Sequence, residues 1–228
     1  MPRVRQVPLS EIHANGRPYY ERLFKGGDPT VNPGTATGTP GHWWSTIALR
    51  PYIFDHAAAH MGMLGLFGAE ASSQLDPRAR EIALMRVGFL MASQFVYSQH
   101  CKIADVLGIP QAKIDAIQHW NVEPDLWTPL ERAILAYADA IVLDRGRVPD
   151  GVFNALHTLM KDEDIAEITY HIGGYMLHAS FCRALRLEWD DVPERVQEVP
   201  WPEGTDLVAI KKKRADSHRS NAAEQSHR

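Results

Sequence analysis

The sequence predicts an all-α protein: a compact bundle of about six to eight helices over roughly residues 46–188. Three observations predict it. Apolar residues recur at helical spacing in each long segment after about residue 50. Two of those segments begin with a capping residue followed by proline, Asp76-Pro77 and Thr128-Pro129. No pair of alternating apolar runs flanks a tight turn, so the hairpin signal of a β protein is missing.

The elements follow in order. Residues 1–45 read as an irregular N-terminal arm, because Gly, Pro and Thr dominate residues 15–42. "RPYIFDHAAAHMGMLGLFG" predicts a helix with Pro51 in its first turn and Ile53, Phe54, Ala57 and Met61 on its apolar face. "LDPRAREIALMRVGFLMAS" predicts a second, capped by Asp76, with Leu84, Val87 and Met91 in register. "SQFVYSQHCKIADVLG" is a third, ended by Gly108. "IPQAKIDAIQHW" gives a short helix. "TPLERAILAYADAIVLDRG" carries a capping box, Thr128 with Glu131, ahead of the face Ile134, Leu135, Ala138, Ile141 and Val142. "VPDGVFNALHTLM" and "DEDIAEITYHIGGYMLHASFCRALRL" complete a helical domain set at 46–190. Two of the helix starts echo each other, which fits either a duplicated unit or ordinary cap chemistry. Residues 191–228 form a polar tail, expected to be disordered after about residue 205. Its "KKKR" run (211–214) reads as a solvated tail rather than a nuclear signal or polyanion contact.

Composition bounds the function. A chain of 228 residues, 45% hydrophobic and 23% charged, suits one globular domain. The net charge of −4 gives no nucleic-acid footprint. No apolar run is long enough for a membrane span and the first residues lack a secretory h-region, so a cytoplasmic location is expected. The two cysteines, Cys101 and Cys182, make no disulfide framework.

Within this frame a few side chains can carry chemistry. Glu81 opens an apolar helix, where it is either a dipole-favoured first-turn carboxylate or a general acid/base. His100 shares an otherwise apolar face with Ser93, Val96 and Tyr97, and is either a packed core histidine or the proton carrier of the segment. On one straight helix the two are roughly 28 Å apart, at ~1.5 Å per residue. They meet only if the chain turns at "MASQ" (91–94), with Ser93 capping a new helix. Cys101 adjoins His100 in sequence but points ~100° away from it on a helix, and reads as a buried, inert thiol. His56 and His60, at i and i+4, offer two metal ligands without a third. His171, Tyr175 and His178 form a stripe that suits a wet pocket, packing or a subunit seam.

The segment "DPRAREIALMRVGFLMASQFVYSQHCKIADVLGIPQAKIDAI", with "TPLERAILAYADAIVLDRGRVPDGVFNAL" and "IGGYMLHASFCRAL", resembles the carboxymuconolactone decarboxylase / alkylhydroperoxidase D superfamily. The resemblance covers roughly residues 45–188. Its peroxidase branch implies Glu, eleven residues, Cys-x-x-Cys, three residues, His. Glu81 and His100 fit that pattern, whereas Ser93 and Val96 stand where the two thiols would be. The resemblance therefore implies a branch that is not a thiol peroxidase. It implies a cofactor-independent lyase, decarboxylase-like, with Glu81, His100 and Tyr97 catalytic and no metal. Ser93, Val96, His60, Tyr175 and His178 would line the pocket, and Trp43 and Trp44 would shape it for an aromatic-derived carboxylate, lactone or carbonyl compound. A homo-oligomer (dimer, trimer or hexamer) with a small-molecule substrate, no nucleic acid and no membrane is implied as partnership. The alternatives are a metal-dependent enzyme using His56 and His60, or a non-catalytic ligand-binding oligomer.

Overall fold

The computed structural model describes residues 1–65, 72–190, 199–214 and 216. Among these it is all-helical, as the sequence predicts, with nine named α-helices, slightly more than expected. They are α1 (Arg17–Leu23), α2 (His42–Ile47), α3 (Pro51–Met63), α4 (Pro77–Leu90), α5 (Gln94–Val106), α6 (Gln111–Ala116), α7 (Pro129–Leu143), α8 (Asp150–His157) and α9 (Asp162–Leu185). Two of them, α1 and α2, fall in or at the edge of the segment read as irregular. Pro18 starts α1, and one or two turns are too short to show apolar periodicity. Residues 207–214 are also helical, where disorder was expected from their polar composition; residues 191–198 and 217–228 of the tail lie outside the described residues.

Helix α4 is the centre, packed against α5, α7 and α9. Every residue from Ala79 to Gly88 is buried, so α4 has no solvent face. The charged groups in that run are all paired. Arg86 grips Asp139 of α7 through Nε (2.5 Å) and Nη2 (3.1 Å), and donates to the carbonyls of Ile117 and Gln118 at 3.1 and 2.9 Å. Such bidentate pairing makes a buried guanidinium tolerable. The predicted apolar face of α7 is buried at Ile134, Leu135, Ala138 and Ile141, and its capping box is formed. On α3, Phe54 and Met61 are core, but Ile53 faces solvent and Ala58 takes the buried position.

The chain reverses between α4 and α5 where the sequence requires it. Asp76 caps α4 by accepting from the Arg78 N–H at 2.9 Å. Met91 ends α4, and Ala92 takes a left-handed φ of 51°. Ser93 then caps α5 by accepting from Val96 N–H at 3.2 Å. The Ser93 hydroxyl also donates to Asp190 Oδ2 at 2.6 Å, which ties the turn to the chain after α9. Gly88 lets the two helices approach. A Cβ there would lie 2.6 Å from Tyr97 N and 2.7 Å from its Cα, both backbone atoms that cannot step aside.

The expected outcome of Gly88→Ala is a loss of about 1–3 kcal/mol of stability from overpacking, read as a lower urea midpoint at unchanged slope. A midpoint equal to the wild type's would show that α4 and α5 are not in the close contact described.

Candidate active site

The reversal brings Glu81, one turn into α4, under His100, midway along α5. His100 Nδ1 lies 2.5 Å from Glu81 Oε2, and the two residues are only 2% and 1% exposed. The other carboxylate oxygen, Oε1, accepts from Arg80 Nε at 3.2 Å, and Arg80 Nη1 donates to Ser73 Oγ at 3.3 Å. Burial alone would raise the Glu81 pKa, but the charge and hydrogen bond of His100, with those of Arg80, hold it below the ordinary carboxylate value. An ionised Glu81 accepting from Nδ1–H fixes the His100 tautomer and leaves Nε2 as the nitrogen for a ligand.

His100 lines a cavity of about 410 Å³. Along α5 the lining positions include Phe95, Val96, Gln99, His100, Ile103 and Val106, one broad helical face. From α9 come Tyr175, edge-on to His100 with ring centroids 4.4 Å apart, and His178. Trp43 and Trp44 of α2 close one side, and Trp43 stacks on His178 at 4.1 Å. Glu188 holds α2 there, accepting from the Gly41 and Trp43 N–H groups at 3.0 and 2.7 Å. Burial pushes the Glu188 pKa up to about 7 against those two hydrogen bonds.

His178 is the unusual member. Both of its ring nitrogens are buried and have no hydrogen-bond partner among the described residues, and the same holds for the Gln99 amide nitrogen in the cavity wall. Burial, followed by the nearby His100 and His60, depresses the His178 pKa to about 3. It is therefore a neutral imidazole, able to donate at one nitrogen and accept at the other.

Not every residue singled out from the sequence reaches this place. Val96, Tyr175 and His178 line the cavity, as do Trp43 and Trp44. Tyr97 does not. It packs over Gly88, and its hydroxyl accepts from Gln118 at 3.2 Å, because position 97 turns toward α4. Ser93 is a fully buried cap bound to Asp190, not a pocket residue. His60 sits behind the wall. Its Nε2 is 3.4 Å from His171 Nδ1, whose Nε2 lies 3.3 Å from Glu167, and its ring fills the space over Gly174, where a Cβ would be 2.4 Å away. Its pKa falls to about 4, first through burial. His56 is exposed, and no set of three His, Cys, Asp or Glu side chains is placed to share a metal ion among the described residues. Cys101 and Cys182 form no disulfide and are fully buried. Burial, then Asp190 and Glu188, raises the Cys182 thiol pKa and keeps it protonated. Arg80, Gln99 and Arg214 were missed. Arg80 carried a signal as a cation adjoining Glu81, and Arg214 lay in the "KKKR" run, which the sequence reads as a solvated tail.

Three solved structures share this arrangement of helices. One is an Agrobacterium tumefaciens protein of unknown function, described as an AhpD candidate for antioxidant defence; it is 23% identical, with a TM-score of 0.51 over 65% of this chain and 98% of that one. An uncharacterized peroxidase-related protein from a Silicibacter species is 18% identical, with a TM-score of 0.54 over 63% and 73%. An alkylhydroperoxidase AhpD core protein from Ralstonia eutropha, also uncharacterized and peroxidase-related, is 19% identical, with a TM-score of 0.57 over 82% and 90%. The chain has the AhpD-like fold. No protein-family model and no curated protein matches it. No helix among the described residues is long and apolar enough to cross a membrane.

A buried neutral histidine has a stability signature. Its folded pKa lies below the unfolded value of about 6.5, so its contribution is complete above that pH and is lost as pH falls toward the folded value. His178→Phe keeps the stacking and removes the proton site. From pH 6.5 to 4 the wild type should lose stability relative to this variant by about 1.4 kcal/mol per pH unit. Parallel urea titrations at several pH values check it; two parallel stability curves would contradict a neutral His178.

Proposed function

We propose that the protein is a cofactor-independent lyase or isomerase of the carboxymuconolactone decarboxylase / AhpD-like superfamily, acting in the cytoplasm. It uses Glu81 and His100 for acid–base chemistry on a small carboxylate, lactone or carbonyl compound. Decarboxylation is the reaction read first. The observation that carries this is the 2.5 Å contact between a buried carboxylate and an imidazole that lines a partly open, mainly apolar cavity. The solved neighbours bear antioxidant and peroxidase-related names. This chain has Ser93 and Val96 at the thiol positions of that pattern, and both of its cysteines are buried. Thiol–disulfide turnover has no reactive pair to work with here.

The chemistry follows from the geometry. When the C–C bond to the carboxyl group breaks, carbon dioxide leaves and its electron pair stays as an enolate-like charge. Imidazolium His100, donating from Nδ1 to Glu81, delivers the Nε2 proton to that carbon. The neutral imidazole then recovers a proton from solvent, so the net change is uptake of one proton and release of carbon dioxide. Glu81 stabilises the imidazolium before transfer, and Arg80 keeps Glu81 ionised and oriented. Tyr175 edges His100 and excludes water from the ring. The unpartnered nitrogens of His178 and Gln99 favour a tightly held ligand, which is also what a non-catalytic binding protein would need.

A screen of small carboxylates, lactones and carbonyl compounds tests this reading. His100→Gln and Glu81→Gln should each lower turnover by about 10²–10⁴-fold, whereas Cys101→Ser keeps it. Turnover unaffected by both dyad changes would sink the assignment, and a large loss in Cys101→Ser would restore the thiol chemistry. Homo-oligomeric assembly belongs to the same proposal. Tyr170 and Leu177, 51% and 63% exposed on α9, are apolar side chains for such an interface to cover. Light scattering on the eluted protein should give a multiple of the 25.6 kDa chain mass; a monomer rejects it.

A further inference from the structure

Residues 199–214 return across α5, the helix that bears His100, and bring side chains to its cavity. The Val199 N–H donates to Ser98 Oγ at 2.8 Å, and that hydroxyl donates back to the Val199 carbonyl at 3.0 Å. Lys102, 1% exposed, donates to Ser98 Oγ and the Val199 carbonyl, and its ammonium lies 5.9 Å from the centre of the Trp201 ring. Pro202 then meets the N-terminal arm, where a Cβ on Gly38 would lie 2.8 Å from its Cγ. Beyond it, residues 207–214 form a short helix capped by Asp206, which accepts from the Ala209 N–H at 2.9 Å. The lysines of this helix are exposed, but Leu207 and Ile210, at i and i+3, are half-buried on one face. Lys211 pairs with Asp105 of α5 at 2.8 Å. The segment is thus a strap that runs from α5 to the arm and back to α5. Trp201 and Ile210 lie in the wall of the cavity that His100 lines.

We propose that residues 199–214 are the specificity element of this cavity, a strap whose Trp201 and Ile210 side chains set how long an apolar ligand body can lie beside His100. This deepens the proposed acid–base site and rests on that reading for the ligand class, a carbonyl compound. The rest of the wall suits an apolar body, with Trp43, Trp44, Phe95 and Ile103 among its residues. Each methylene buried there adds affinity until the chain reaches a side chain that cannot yield; past that point a clash offsets the burial. Trp201 is held in place from two sides, by the Ser98–Val199 hydrogen bonds on α5 and by the contact of Pro202 with the arm. Ile210 is β-branched on a helix, so its χ1 is stiff. Neither residue belongs to the helices that carry Glu81 and His100, so changes in the strap alter what is admitted and leave the proton carrier in place.

The test is fluorine NMR titration of the full-length protein with 4-fluorophenyl alkyl ketones, lengthened one methylene at a time from 4-fluoroacetophenone. In the wild type, affinity should rise about fourfold per methylene and then break, staying level or falling with the next homologue. Trp201→Ala and Ile210→Ala should each move the break to a longer chain, and Trp201→Phe should move it less than Trp201→Ala. Val208→Ala, on the same strap but 78% exposed, should leave it in place. Urea midpoints show that each variant is folded. A break at the same length in both cavity-wall alanine variants, a break moved as far by Val208→Ala, a wild-type series without a break, or binding of no homologue would overturn the proposal. Binding does not need the dyad. An unmoved break beside turnover lost in His100→Gln therefore removes this inference alone. A moved break beside turnover kept in both dyad variants removes only the acid–base reading.

Discussion

A carboxylate and an imidazole buried side by side each forfeit their hydration, and the arrangement holds only if each replaces what the other loses. The Glu81–His100 contact meets that condition, with Arg80 on the second carboxylate oxygen. Its demands reach far into the structure. Two residues 19 positions apart must come within hydrogen-bonding distance, so α4 must end, the chain must reverse and α5 must begin within four residues. Gly88 gives the helices room to close, the left-handed Ala92 turns the chain, and Ser93 caps the new helix while Asp190 holds Ser93. The packing of α4 on every side then keeps water from competing for the pair.

The cavity is a product of chain segments that lie outside the helical centre. His100 faces inward from α5 with Glu81 behind it on α4, Tyr175 and His178 approach from α9, and α2 brings two indoles because Glu188 holds its first N–H groups. Residues 199–214 complete the wall. This division explains how one fold hosts different chemistries: the helical centre supplies a proton carrier, and the flanking segments decide what is admitted to it.

Much of this was legible in the sequence. The cap-proline starts at Asp76 and Thr128, the helical spacing on α7 and the break at 91–94 were all written in local chemistry that survives in the fold. The Glu81–His100 pair was legible because the break made it geometrically possible and the family pattern made it specific. What failed to show depends on tertiary direction. Tyr97 and His100 look equivalent on a helical wheel, yet Tyr97 turns toward α4 at Gly88 and only His100 looks into the cavity. Ser93 was read both as the cap of a new helix, which it is, and as a pocket residue, which it is not, since its hydroxyl is turned onto Asp190. A polar, lysine-rich stretch such as 211–214 carries no sign of what it will pack against, and α1 and α2 are too short to reveal a period.

Catalysis at this site turns on His100 being held as the Nδ1–H donor to an ionised, buried Glu81. Proton NMR of the wild type in the far-downfield region, with ¹⁵N labelling of histidine, reads that bond directly. A charge-assisted Nδ1–H bond gives one strongly deshielded N–H, assigned to His100 Nδ1, that vanishes in Glu81→Gln. A His100 ring protonated at Nε2 alone, or a downfield signal unchanged by Glu81→Gln, would contradict it.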